Sequence, residues 1–105
     1  MAWVYLLIAS FFEVGWPLGF KLASTTDHKM FWVVFAFVTM ALSGFFLFLA
    51  QKEISIGTAY AVWSGIGASC TFLIGVLFFG DTISLMRFLG ILLIVSGVVL
   101  LKLGH

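Results

Sequence analysis

The chain has 105 residues, 64% of them hydrophobic and 9% charged, with a mean hydropathy of +1.28. That leaves too little polar material to coat a soluble domain, so the sequence reads as an all-α integral membrane protein in a single domain. A net charge of +1 excludes a nucleic-acid-binding footprint. The lone Cys70 excludes an intrachain disulfide framework and a cysteine-based metal site, and it reads as a small buried residue.

Polar residues divide the hydrophobic sequence. Lys21, Asp27, His28 and Lys29 form one break. Gln51, Lys52, Glu53 and Ser55 form a second, and Gly80, Asp81, Thr82 and Arg87 a third. Lys102 and His105 stand at the end of the chain. A helix needs about 20 apolar residues to cross a bilayer, and open strands cannot satisfy their backbone in lipid. The pattern therefore predicts four membrane helices over residues 2–21, 31–50, 57–79 and 86–103. The first is expected to be a retained helix, because no small-residue cleavage site follows a short apolar core. Trp3, Tyr5 and Trp32 fall near segment ends, where an aromatic belt would place them.

Lys52 and Lys102 belong to one side of such a bundle, and Lys21, Lys29 and Arg87 to the other. This near balance gives no strong orientation signal, so insertion in both directions is expected. Four short helices enclose a water-filled cavity poorly. An oligomer is expected, and two opposed copies would create the inverted symmetry that many transporters build by duplication.

In the first helix, Glu13 is the one charge within residues 1–20. A carboxylate at membrane depth is costly unless it is paired or used. Ser10, Glu13, Trp16, Pro17 and Phe20 share a face by three- and four-residue spacing. Trp16 offers an aromatic wall and an indole donor for the carboxylate, or plain packing. Pro17 removes the N–H that would bond the Glu13 carbonyl, freeing an acceptor and bending the helix, or is a tolerated kink. In the second helix, Ser43 beside Gly44 either bonds its own preceding turn or serves Glu13 as a neutral partner.

The third helix places Tyr60, Trp63, Ser64 and Gly67 on one face. Buried Tyr and Trp need hydrogen-bond partners, and a carboxylate is one. Gly65 and Gly67 act as a hinge or permit close helix packing. In the fourth helix, Gly90 and Gly97 lie one heptad apart with Leu92 between them. That face is expected to form a dimer contact without chemistry of its own. No nucleophile–His–acid set can be assembled, since His28 and His105 fall in a loop and the tail. No phosphate-binding glycine loop with a lysine is present, so the chain reads as a non-enzyme driven by an ion gradient.

Four pieces carry a resemblance across essentially the whole length. They are Phe12 to Trp16 with Lys21 closing the helix, Ser43, the run from Ile56 to Ala68 (IGTAYAVWSGIGA), and Gly90 and Leu92 with Gly97. Together they resemble the small multidrug resistance transporters. Trp16 and the Gly65 to Ala68 run look like the guanidinium exporter subtype. The resemblance implies a dual-topology antiparallel homodimer in a bacterial inner membrane. It implies proton-coupled export of a small cation past a shared pair of Glu13 carboxylates. Positions Glu13, Trp16, Ser43, Tyr60 and Trp63 would form the binding site, with no cofactor or metal. Implied partners are the cation, protons, the bilayer and a second copy of the chain. Pro17 and Gly19 replace the small aliphatic residues usual in the subtype, so both are expected to reshape the pocket. The alternative is a polyspecific exporter of quaternary ammonium or aromatic cations. A half-transporter needing a related chain fits the near balance of charge less well, and a structural membrane subunit leaves Glu13, Tyr60 and Trp63 unexplained.

In the mechanism expected of such a dimer, proton and cation compete for the same two carboxylates. Ser43, Trp63 and Trp16 would orient each carboxylate by donating hydrogen bonds, and Tyr60 would close one side of the site.

Overall fold

The structure is a computed structural model, and it describes residues 1–104. His105, read from the sequence as a tail residue, lies outside the described residues. The chain forms four helices: α1 (Ala2–Thr25), α2 (Lys29–Ala50), α3 (Ile56–Phe78) and α4 (Leu85–Leu103). All four are long and apolar enough to cross a membrane. At about 1.5 Å per residue even α4 approaches the roughly 30 Å hydrocarbon thickness. The chain is thus a multi-pass membrane protein.

Helix ends follow local chemistry. The first helix runs past Lys21, its expected end, to Thr25. There Ser24 and Thr25 hydroxyls donate to the Lys21 carbonyl and Thr26 donates to Leu22. These side chains satisfy carbonyls that the ending helix leaves open. The helix continues through Pro17. At the start of α4 the Ser84 hydroxyl accepts the Arg87 backbone N–H at 3.2 Å, a serine N-cap. Between α3 and α4, Gly80 adopts φ +68°, which turns the chain back so that the Asp81 N–H donates to the Gly75 carbonyl at 3.0 Å.

The helices pack in the order α2–α1–α3–α4, and α4 lies against α3, with the Lys102 ammonium reaching over the Trp3 ring of α1 at 5.0 Å from its centroid. A small core of Ala2, Leu6, Ala50, Ile54, Ala59 and Val62 ties α1, α2 and α3 together at one end. The α1–α2 seam is close because Gly15 and Gly19 meet Thr39, Ala36 and the Trp32 carbonyl. A methyl at Gly15 would sit 2.7 Å from the Thr39 Cβ. Such small-residue faces let membrane helices approach without a hydrophobic driving force.

The molecule is a slab of 44 × 35 × 16 Å. A helix with its side chains is about 10–12 Å across, so the slab is less than two helices thick. No residue of α4 is buried, and phenylalanines on α1 and α2 such as Phe11, Phe45 and Phe48 are exposed. Lipid or protein must cover these surfaces.

Candidate functional site

Glu13 lies midway along α1, on the side facing α2 and α3. The Trp16 indole N–H, one helical turn on, donates to the Glu13 carboxylate. This contact follows from i,i+3 spacing and needs no tertiary structure. Trp16 also meets Phe20 edge to face, with centroids 6.1 Å apart.

The remaining contacts come from other helices. Ser43 is buried on α2, and its hydroxyl donates to the Ala9 carbonyl of α1 at 2.7 Å. The Trp63 indole of α3 donates to the same hydroxyl oxygen at 2.8 Å. One serine therefore joins three helices, instead of bonding its own preceding turn as Ser10 does with the Leu6 carbonyl. Ser43 also lies near the Glu13 carboxylate. The Trp63 indole thus donates to Ser43 and not to the Glu13 carboxylate itself.

Gly67 brings α3 against the acid itself. A methyl there would lie 2.7 Å from Glu13 Cγ and 3.1 Å from its Cβ. Gly65 does the same for α4, where a methyl would meet Val98 at 2.7 Å. Both glycines are close-approach points in this structure, and α3 runs unbroken across them.

Glu13 lines cavities on two sides. One, of about 460 Å³, is walled by Trp16, Pro17, Gly67, Thr71, Phe72 and Asp81, among others. The other, of about 290 Å³, is walled by Trp16, Met40, Gly44, Leu47 and Trp63. A water occupies about 30 Å³ of the liquid, so the larger cavity has room for a small planar cation and its water. No group of three His, Cys, Asp or Glu side chains stands together among the described residues.

Other expected site residues are less central. Tyr60 packs on Trp63 with centroids 5.4 Å apart, but it is 58% exposed and lines neither cavity. Pro17 lines the larger cavity, as expected. Gly19 lines neither cavity and sits on the α1–α2 seam against Trp32 and Ala36. Gly90 and Gly97 have nothing within 4 Å of an added methyl, and Leu92 is half-exposed, so all three positions of α4 are open in the single chain. Cys70 is partly buried in an apolar crevice with Phe11 and Phe35. Sequence reasoning missed Asp81 as a cavity residue. It also missed the Gly15–Gly19 seam, which the G-x-x-x-G spacing signals.

The family model described as Small Multidrug Resistance protein matches residues 1–94. Curated relatives named guanidinium exporter include one from Yersinia pseudotuberculosis serotype I (strain IP32953), 42% identical over 104 residues and covering 99% of both chains. Another, from Escherichia coli (strain K12), is 39% identical over 107 residues and covers 99% of this chain and 98% of the relative. One from Citrobacter freundii is 38% identical over 104 residues, with the same coverage. A mid-membrane carboxylate between two cavities, four spanning helices and these matches together mean that the chain is a transporter, not an enzyme, and belongs to the small multidrug resistance family.

Proposed function

We propose that this protein exports guanidinium, or small substituted guanidinium cations, in exchange for protons across a bacterial inner membrane. The observation that carries the reading is Glu13, a carboxylate at mid-span with Trp16 bonded to it and a cavity on each side. Similarity to bacterial proteins named guanidinium exporter supports the choice of cation. Guanidinium is planar, permanently charged and rich in N–H donors that match carboxylates two at a time.

The working unit is an antiparallel homodimer whose two Glu13 residues share one site. The slab-like chain supports this, since one copy cannot enclose its own cavity, and so does the open α4 face with Gly90, Leu92 and Gly97. Each carboxylate accepts either a proton or a share of the cation. Because the two compete, loading one releases the other. If the empty, deprotonated dimer changes faces slowly, the competition alone enforces exchange. Trp16 and the Ser43–Trp63 pair keep the carboxylate in one orientation, which limits the reorganisation needed when the cation arrives. Tyr60, exposed beside Trp63, closes the site on one side as the chains swap conformations, with Gly65 and Gly67 as the hinge. A second reading, export of quaternary ammonium or aromatic cations, draws on Pro17 and Phe72 in the larger cavity wall.

The test is electrogenic current from purified protein in liposomes on a supported membrane. Guanidinium, a mono-alkyl guanidinium and a tetra-alkyl ammonium are applied in turn. Current with the N–H-bearing cations alone is the expected outcome. Comparable current with the ammonium would favour the second reading. Glu13→Gln should abolish coupled transport, and surviving proton-driven export would sink the assignment of Glu13.

A further inference from the structure

The larger cavity beside Glu13 has a second carboxylate in its wall. Asp81, in the α3–α4 loop, lines that cavity and also an adjoining one of about 180 Å³, together with Lys21 and Phe79. Pro17, Thr71 and Asp81 line both cavities. The two cavities therefore adjoin along the α1–α3 groove, between the loop end of these helices and Glu13.

Local structure fixes where Asp81 sits. Gly80 turns the chain through its positive φ, and the Asp81 N–H bonds the Gly75 carbonyl. Gly75 leaves room for the acid, because a methyl there would run into the Asp81 carboxylate. Yet that carboxylate makes no hydrogen bond or ion pair among the described residues. The nearby cations are turned elsewhere. Lys21 holds its ammonium 5.9 Å from the Phe79 ring centroid, and Arg87 donates to the Thr82 carbonyl at 3.1 Å. A solvated carboxylate beside an unpaired lysine attracts a cation without holding it tightly. A transport route needs that balance, since a strong site would trap the cargo.

We propose that Asp81 is an outer station for the transported cation, drawing it into the groove before Glu13 takes it up. Lys21 opposes it and keeps the station weak. The inference rests on the reading of Glu13 as the cation-binding carboxylate. It adds a residue that sets apparent affinity through the electrostatics of the approach.

The experiment uses the full chain in liposomes and records guanidinium current against concentration at two ionic strengths. Charge effects reach about 30 Å at 0.01 M salt and about 8 Å at 0.15 M. At low salt, Asp81→Asn should raise the half-saturating guanidinium concentration about fivefold, within the range of electrostatic steering, with maximal current held within about twofold. Asp81→Glu should restore the wild-type value. Lys21→Gln should shift it the opposite way, which keeps the test alive if Asp81→Asn fails to insert. At high salt the differences should shrink to about twofold or less. A wild-type half-saturation in Asp81→Asn at low salt would overturn the proposal. So would a deficit that ignores salt or one that Asp81→Glu shares, since either would mark a structural role. Absence of guanidinium current in the wild type would instead overturn the reading of Glu13, and the station with it.

Discussion

Gly67→Ala tests how the carboxylate is held. The added methyl would lie 2.7 Å from Glu13 Cγ and 3.1 Å from Cβ. Carbon atoms prefer about 3.5–4.0 Å, so the Glu13 side chain must move by roughly 1 Å or change rotamer. Overpacking of this kind costs about 1–3 kcal/mol. Alanine returns about 1 kcal/mol of helix propensity, so the fold should lose about 2 kcal/mol at most. The functional cost is separate. A displaced carboxylate loses its Trp16 hydrogen bond, and a bond to a charged group contributes about 1.5–3 kcal/mol. Since about 1.4 kcal/mol is tenfold in affinity, guanidinium should bind at least about tenfold more weakly. Calorimetric titration of guanidinium into detergent-solubilised protein measures this, with a thermal melt as the check on folding. Gly15→Ala is the control. Its methyl would meet Thr39 at 2.7 Å, on the α1–α2 seam and away from the carboxylate. It should lower the melting temperature while leaving affinity within about threefold, because overpacking there costs stability alone. Wild-type affinity in a folded Gly67→Ala protein would refute the reasoning. Equal affinity losses in the two variants would do the same.

Other outcomes follow from the same contacts. Ser43→Ala leaves the Trp63 indole without its acceptor and Ala9 without its cross-helix donor, and should destabilise the fold by about 1–3 kcal/mol while weakening cation binding. Trp63→Phe should cost less, and the double variant should cost less than the sum, as expected for one connected unit. Reversible unfolding in mixed detergents reads the cycle, and strict additivity would mean that Ser43 and Trp63 act independently. Gly97→Leu begins in open space in the single chain, where nothing lies within 4 Å of an added methyl, and no residue of α4 is buried. It should therefore leave the four-helix fold intact and weaken dimers, as seen by crosslinking in membranes. Unchanged dimers would remove α4 from the contact.

Much of this was legible in the chain itself. Four spans follow from composition, because lipid leaves the backbone no alternative to helices. The Glu13–Trp16 bond was also legible, since i,i+3 geometry depends only on the residues being helical. Helix ends were less so. Thr25 extends α1 because hydroxyls, not apolar side chains, satisfy its last carbonyls. Only the packing decided the rest. Ser43 had two plausible partners by sequence, and the neighbouring α1 and α3 made it a three-helix junction. Gly19 and Gly67 are the same residue type, yet one closes the α1–α2 seam and the other admits Glu13. Asp81 reads as an ordinary loop acid until Gly80 folds it back over the α1–α3 groove. Period and hydropathy describe one helix at a time, whereas the partner of a polar or small residue depends on which helix face approaches it, and that is settled by the joint packing of all four.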